Sequence, residues 1–516
     1  MEMRLLRPEL AANAYAREID ATLPRILALI DRDPLSQTRG FGDRQFWGWK
    51  LIDFPNGTLQ GAVNGLTALL AADALAPHVS RDTIRARVDD QLAATIRMMR
   101  RDGSFEEALP YEQSYCVTAL CAYDYLRAAD RLGLSAEAVR PLAPAIDFLV
   151  RRDETHAFIA NHLATAVAAL ARWAKLTGDG RARDKARKLL DRILDAQSPE
   201  GWFPEYGGAD PGYQTLCMGH LADAAEVTGD DRLRAALVRS AEFASLFVHP
   251  DGSFGGIYGS RATRIYYPAG VELVARSSDA AAWVATTMRA AIRAASTVPL
   301  TAIDQPNLLP LFNSYCEALA ASAPESAGQG PSGRHWMPQA GLLVDIGASH
   351  HTVVSTRKGG VVYHWRDGAL VTCDTGIALR TSHGKILTSQ SDLPVQTEVT
   401  DGSLRVSGQL VRRSMPLPNA FNFLVLRMLA LSVMRVPAIS AWIKKNIARM
   451  LTRSGGTAQG GFDRTITLGR DLAISDAWQP SGLTRVAVAE PFSTIHMASS
   501  GYWQAGDTTV QQERQP

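Results

Sequence analysis

Residues 198–216 read SPEGWFPEYGGADPGYQTL, and the four residues EGWF at 200–203 form a turn phrase that recurs along the chain. The phrase returns as DGSF at 102–105 and again at 251–254. Its glycines, Gly103, Gly201 and Gly252, lie 98 and 51 residues apart, which gives a unit of about fifty residues with one copy skipped. A unit of that length holds two helices and two loops, so the pattern predicts a helical-hairpin repeat.

The segments on either side of these turns carry apolar residues at three- and four-residue spacing, as amphipathic helices do. Such repeats either stack as an open solenoid or close into a ring of inner and outer helices. Polar or aromatic residues open successive inner helices at steps of 55, 50, 52 and 53 residues: Asn56, Tyr111, Asn161, Tyr213 and Tyr266. This regularity favours the ring, because equivalent positions of a ring meet at one rim around one cavity.

Beyond residue 322 the composition changes. Residues 323–339 form a Gly/Pro/Ser-rich linker, and from residue 340 short β-branched runs alternate with glycine and Asp-Gly turns. The sequence therefore predicts a multidomain α + β protein: an (α/α) toroid over 1–322, and an antiparallel β-sandwich over 340–516 with a helical insertion at 417–453.

Composition limits the classes of function. A chain of 516 residues is too long for one ordinary hydrophobic core, so two domains are expected. The 54 basic and 52 acidic residues nearly cancel, which gives no support to a nucleic-acid-binding surface. Five cysteines without CxxC spacing indicate neither a disulfide framework nor a zinc site, which fits a reducing compartment. The first twenty residues hold no apolar run of signal-peptide length, so we expect no signal peptide and a cytoplasmic location.

Residues 421–453 are the one segment whose composition raises the question of a membrane contact. Arg427, Arg435 and Pro437 interrupt it, which argues against a helix that spans a membrane. Lys444, Lys445, Arg449 and Arg453 beside Trp442 indicate an amphipathic pair of helices. Two interpretations stay open: peripheral contact with the inner face of a membrane, and an insertion packed on its own protein.

The order of a helical toroid and a sandwich, with Asn161–His162 at a helix start and Tyr213 one repeat later, resembles polysaccharide lyases of the heparinase II/III and alginate-lyase type. The resemblance implies that Asn161 and His162 neutralise a uronate carboxylate and that Tyr213 transfers a proton. It also implies a histidine from the sandwich, for which His351 in the SHH run 349–351 is the candidate. The expected partner is an acidic polysaccharide or oligosaccharide.

That family commonly carries a longer histidine and aspartate cluster that binds zinc in the sandwich. Here only His350 and His351 are adjacent, so we expect no metal and no cofactor. Elimination removes the C5 proton of a uronic acid, which requires neutralisation of the neighbouring carboxylate. A tyrosine acts as the base only where nearby positive charge favours its phenolate.

Further residues near the same rim are candidates for sugar binding, because aromatic faces stack on sugar rings and charged groups pair with uronates. They are Trp47, Trp49, Lys50, Tyr111, Glu112, Tyr115, Trp202, Glu205, Tyr206 and Tyr267. Each of these types also has a structural interpretation, as a packing aromatic or a cap of the toroid. Asn161 has one too, as the N-cap of its helix.

Three alternatives to a lyase remain. A toroid glycoside hydrolase would draw its acid and base from Glu106, Glu107 and Glu112, with Glu205 and Asp210 as partners. A uronate epimerase shares the proton abstraction without the elimination. A non-catalytic polysaccharide-binding or exopolysaccharide-assembly factor at the inner membrane belongs to a different class, and the basic segment 421–453 favours it.

Overall fold

In the computed structural model, residues 4–154, 157–322, 324–325, 328–413, 419–452, 457–488 and 491–494 are described. The N-terminal part is helical and the C-terminal part is an antiparallel β region with one helical hairpin, in agreement with the predicted fold class. The helices of the first part are α1 (Ala14–Leu29), α2 (Arg44–Trp47), α3 (Ala62–Ala71), α4 (Arg81–Met98), α5 (Tyr115–Arg131), α6 (Ala136–Val139), α7 (Ala143–Arg151), α8 (Ala160–Thr177), α9 (Gly180–Asp195), α10 (Pro211–Thr228), α11 (Asp231–Ser245), α12 (Pro268–Val274), α13 (Asp279–Arg293) and α14 (Gln305–Ala321).

Six of these helices form a closed inner ring. Each packs on the next in the order α3, α5, α8, α10, α12 and α14, and α14 packs back on α3. The outer layer consists of α4 on α3, α7 on α5, α9 on α8, α11 on α10, α13 on α12 and α1 on α14. The hairpin repeat of the sequence is therefore arranged as a ring and does not continue as an open solenoid.

Local signals in the sequence set the ends of the ring helices. Asp210 caps α10 by accepting the backbone N–H of Tyr213, and Gly178 and Gly229 end α8 and α10 in the left-handed conformation. The N-cap interpretation of Asn161 is wrong. Helix α8 begins at Ala160 after Ile159, so Asn161 lies within the first turn and its side chain is available for another partner.

The strands form two antiparallel sheets. Their bounds are β1 (Gly333–Met337), β2 (Leu342–Gly347), β3 (His350–Ser355), β4 (Val361–Arg366), β5 (Ala369–Asp374), β6 (Ala378–Arg380), β7 (Ile386–Thr388), β8 (Gln396–Val399), β9 (Ser403–Arg412), β10 (Ala458–Thr467), β11 (Ala473–Gln479) and β12 (Thr484–Arg485). The first sheet has the order β1-β2-β3-β4-β5, and the second has β11-β10-β9-β7-β6-β12 with β8 also paired to β9. The end of the predicted sandwich, from residue 495, lies outside the described residues.

The middle strands of the first sheet, β2, β3 and β4, are buried on both faces. On one face Leu343, Val354 and Val362 belong to the core that also contains second-sheet residues, whereas Val353 and Trp365 on the other face belong to the core of the helical ring. Alternate residues of a strand point to opposite faces, so β2, β3 and β4 are buried at most positions. This sheet is the layer that fixes the second sheet to the ring.

The predicted insertion lies between the neighbouring strands β9 and β10. It consists of α15 (Ala420–Leu431), a 3-10 turn (Val433–Arg435) and α16 (Pro437–Thr452). We call residues 419–452 the helical hairpin. The predicted boundary residues 417, 418 and 453 lie outside the described residues.

Ring closure depends on a close approach at Gly65. A Cβ at this position would lie 2.6 Å from the Phe312 ring and 2.8 Å from Oδ1 of Asn313, both on α14. We predict that Gly65→Ala lowers the free energy of unfolding by about 1–3 kcal/mol, because overpacking forces neighbours to move. Urea denaturation measures it. The control is Gly180→Ala, where a Cβ meets nothing within 4 Å; equal losses in both variants would contradict the assignment.

Candidate functional site at the rim of the ring

The rim is formed by the N-terminal ends of the inner helices and the loops before them. Tyr115 begins α5, Asn161 and His162 lie in the first turn of α8, and Tyr213 lies in the first turn of α10. A cavity between the ring helices, lined by Asp124 and His220 among others, has a volume of about 40 Å³, which is room for a few water molecules.

Glu205 and Asn161 form the centre of this rim. The backbone N–H of Asn161 donates to Oε1 of Glu205 at 2.9 Å, and Nδ2 of Asn161 lies 2.9 and 2.8 Å from the two carboxylate oxygens. Both residues are buried. Burial raises the pKa of Glu205 above its usual range, although Arg261, His162 and Asn161 act to lower it. A buried carboxyl group with a raised pKa has the properties of a general acid.

Asp210 holds a tyrosine and an arginine against each other. One of its oxygens accepts the backbone N–H of Tyr213 at 3.0 Å, and the other accepts the backbone N–H of Arg261 at 2.9 Å. The guanidinium carbon of Arg261 lies 3.8 Å from the centre of the Tyr213 ring and 4.8 Å from that of Tyr206. Nε of Arg261 has no hydrogen-bond partner among the described residues. A cation this close to a phenol favours the phenolate.

His162 has a carboxylate partner of its own. Nδ1 of His162 lies 3.0 Å from Oε2 of Glu154. Burial acts to lower the pKa of His162, but Cys116 and Glu154 outweigh it and raise that pKa well above its usual value. These partners therefore favour the imidazolium form of His162, whose charge acts on Glu205.

The helical hairpin contributes a cation to the same rim. Nζ of Lys444 lies 3.0 Å from Oε2 of Glu107 and also forms an ion pair with Glu112. Partial burial acts to raise the pKa of Glu107, but Lys444, Ser114 and His162 lower it to about 2. Glu107 is therefore ionised and paired, and so it is unsuited to act as an acid.

Several of the predicted sugar-binding residues are covered. Trp202 is buried and its Nε1–H donates to Glu200 at 2.8 Å, while Tyr115 and Tyr267 are buried in the ring core. These three side chains offer no free ring face, which corrects the prediction for them. Burial of these aromatic side chains is accounted for by packing in the ring core and needs no ligand. Glu112 is likewise buried, and accepts the backbone N–H groups of residues 108 and 109.

The remaining predicted residues lie toward the surface. Tyr206 lies under Arg261, and Tyr111 is covered by Arg435 of the helical hairpin, whose guanidinium carbon is 4.8 Å from the ring centre. Trp47 is half-buried and its Nε1–H donates to the carbonyl of residue 29, whereas Trp49 and Lys50 are exposed. Of this set, Tyr206 has the position that a sugar contact at the Arg261–Tyr213 pair requires.

His351 does not join the rim residues described above; it lies where the first sheet packs on the helical ring. Its ring packs against His249 and Trp365, with centres 5.7 and 5.5 Å apart, and burial lowers its pKa to about 4. None of these contacts joins it to Asn161, His162 or Tyr213, so they give no support to its predicted part in proton transfer. His351 packs between the domains.

The β3–β4 turn reaches the rim instead. Arg357 donates to the carbonyl of Gly207 at 2.8 Å. Lys358 is buried, its charge interacts with Asp210, and its Nζ has no hydrogen-bond partner among the described residues. Burial lowers the pKa of Lys358 to about 8, although Asp210 and Asp392 act to raise it. The sandwich therefore adds a basic side chain to the rim, although not the predicted histidine.

Sequence reasoning missed Arg261, Glu154, Cys116, Lys358 and Lys444 as members of this rim. The repeat spacing does not indicate Arg261, since it lies 9 residues after Gly252 whereas Tyr213 lies 12 residues after Gly201. Glu154 precedes α8, Cys116 lies in α5, Lys358 in the β3–β4 turn and Lys444 in α16, and no spacing connects them. Within the described part of the chain, no group of three or more His, Cys, Asp or Glu side chains is placed to hold a metal ion.

Comparison with known proteins gives structural likeness alone. No protein-family model matches the chain, and no curated protein matches it. Among solved structures, Streptomyces coelicolor A3 chondroitin AC lyase in complex with chondroitin sulphate has a TM-score of 0.49 at 14% identity, over 78% of this chain and 67% of that one. A family 76 glycoside hydrolase from a bovine Bacteroides thetaiotaomicron strain has 0.42 at 9%, over 60% and 78%.

A sugar epimerase from a ruminal bacterium is similar to the same extent, with a TM-score of 0.42 at 10% identity, over 59% of this chain and 97% of that one. At these identities and TM-scores, none of the likenesses assigns an activity or a substrate to this chain. The chemistry of the rim has to be inferred from its own residues.

We predict that Glu154→Gln lowers the pKa of His162, because it removes a carboxylate that favours the imidazolium. The pH titration of the His162 ring followed by NMR measures this directly. In the variant, His162 should lose its proton at a lower pH than in the native chain. The exposed Glu226→Gln is the matched control. An unchanged His162 titration in Glu154→Gln would show that the contact does not set its charge.

Proposed function

We propose that the rim is the active site of an enzyme that cleaves an acidic, uronate-containing polysaccharide by β-elimination. The observation that carries this proposal is the Arg261 guanidinium 3.8 Å from the centre of the Tyr213 ring. It supplies the positive charge that a tyrosine needs to act as a base near neutral pH. His162, an imidazolium, supplies a second positive charge nearby.

In the proposed reaction, the uronate carboxylate pairs with Arg261 and His162, which neutralise its charge and make the C5 proton more acidic. The Tyr213 phenolate takes that proton, and the electron pair moves toward the carboxylate as an enolate. The C4–O bond then breaks, a C4–C5 double bond forms, and the Tyr213 hydroxyl returns the proton to the leaving oxygen.

Asn161 has a different part in this proposal from the one that the resemblance implies. Its amide hydrogens are directed at Glu205, so they are not free for a substrate carboxylate. Asn161 is instead a positioning residue, which holds the loop of Glu205 and Tyr206 against the start of α8. Arg261 takes over the carboxylate contact, since its guanidinium stacks on the ring of Tyr213, the proposed base.

We predict that Tyr213→Phe lowers the rate of elimination by about 10²–10⁴-fold, because it removes the group that accepts the C5 proton. The assay follows the ultraviolet absorbance of the unsaturated uronate product on a panel of soluble polymers: alginate, hyaluronan and chondroitin sulphate. Tyr125→Phe is the matched control, since Tyr125 lies in the second half of α5, away from its rim end. Retained absorbance in Tyr213→Phe, or an equal loss in Tyr125→Phe, would refute the assignment of Tyr213.

One observation favours a second candidate, glycoside hydrolysis. Glu205 is a buried carboxyl group whose pKa is raised by burial, which suits a general acid that protonates a leaving sugar. The sequence offered Glu106, Glu107 and Glu112 for this role, and of these Glu107 has its pKa lowered by Lys444 and Ser114, which disfavours it as an acid. Hydrolysis would produce new reducing ends without ultraviolet absorbance.

If hydrolysis is the reaction, Glu205→Gln should reduce the formation of reducing ends by about 10²–10⁴-fold, since glutamine cannot donate a carboxyl proton. The same panel of polymers is assayed for reducing ends and for absorbance in parallel. Glu242→Gln, an exposed position on α11, is the control. Reducing ends that always appear together with absorbance would exclude the hydrolase in favour of the lyase.

A further inference from the structure

The helical hairpin concentrates exposed apolar side chains. Among the described residues, fifteen large apolar side chains are exposed, and ten of them lie between residues 421 and 442. These ten form what we call the hairpin patch: Phe421, Phe423, Leu424, Val425, Met428, Leu431, Val433, Val436, Ile439 and Trp442. Phe421 and Trp442 are 72% and 66% exposed. Exposed apolar residues are normally scattered, so this concentration indicates a surface that another body covers.

The opposite side of the hairpin is fixed to the rim. Arg427 forms a 3.0 Å ion pair with Asp53, and the guanidinium of Arg435 lies over the Tyr111 ring. Lys444 pairs with Glu107 at 3.0 Å. The polar side chains of the hairpin therefore contact the ring, and its apolar side chains are exposed. The orientation of the hairpin patch is therefore set by its own protein.

The charged side chains of the segment that contains the hairpin are all basic. Residues 402–462 contain no Asp or Glu, whereas the hairpin holds Arg427, Arg435, Lys444, Lys445 and Arg449. Lys445 is exposed, three residues from Trp442. None of the described helices has the length and apolar character to cross a bilayer. An apolar face with an aromatic side chain and bordering cations is typical of a helix that lies in the interface of an anionic membrane.

We propose that the hairpin patch docks on the surface of an anionic phospholipid bilayer. The absence of acidic residues across the segment favours lipid phosphates over a protein surface of mixed charge, and the exposed Trp442 and Phe421 suit the depth of the headgroups. Because the hairpin is anchored to the loop of Glu107 and Tyr111, docking would hold the rim beside the membrane. This proposal does not depend on the chemistry proposed for the rim.

Sedimentation of the full chain with vesicles tests it. We expect binding to vesicles of phosphatidylglycerol and phosphatidylcholine, and little binding to phosphatidylcholine alone. Phe421→Ser/Leu424→Ser/Trp442→Ser should weaken binding at least about tenfold, since it removes apolar area that the lipid would cover. Lys445→Glu should weaken binding to the anionic vesicles by about fivefold or more and leave the neutral vesicles unaffected.

The matched control is Leu35→Ser/Leu370→Ser/Val371→Ser, which removes three exposed apolar side chains outside the hairpin and should leave binding unchanged. Circular dichroism and the thermal transition establish that each variant is folded. Absence of native binding, or equal binding of the hairpin variant, overturns the proposal. A native dimer that the hairpin variant converts to a monomer also overturns it, because the patch would then be a contact between two copies. The hairpin variant is also assayed for cleavage of soluble polymer. Cleavage that is retained when vesicle binding is lost would show that the membrane contact and the proposed activity fail independently.

Discussion

The rim depends on the Glu205 carboxylate, buried against the first turn of α8. Its oxygens accept both the backbone and the side-chain N–H groups of Asn161, and its own carbonyl accepts the hydroxyl of Ser260. A buried carboxylate is costly to desolvate, so each of these donors is needed. These hydrogen bonds join the start of α8, the loop before α10 and the loop that carries Arg261.

Asp210 extends this arrangement by one repeat. Because one carboxylate accepts the backbone N–H groups of both Tyr213 and Arg261, the phenol ring and the guanidinium are held against each other. Positive charge therefore acts on Glu205 from two residues, Arg261 and His162. His162 is also paired with Glu154, at 3.0 Å.

Two segments from the C-terminal part of the chain contribute side chains to this rim. The β3–β4 turn of the first sheet brings Arg357 and Lys358 to the loop of Gly207 and Asp210. The helical hairpin brings Lys444 to Glu107 and Glu112, and Arg435 to Tyr111. Glu107 and Glu112 are thus paired within the protein, while the apolar side of the hairpin stays exposed.

The sequence alone determined the helical repeat, the change to antiparallel strands and the recurrence of polar residues at inner-helix starts, because turn glycines and apolar periodicity act over a few residues. It also identified Asn161, His162, Tyr213 and Glu205 as members of one rim. Only the tertiary structure decided their partners. Arg261, Lys358 and Lys444 reach the rim from other repeats and from the sandwich, and His351 is directed to the domain interface, since burial and hydrogen bonding between distant segments leave no periodic signal.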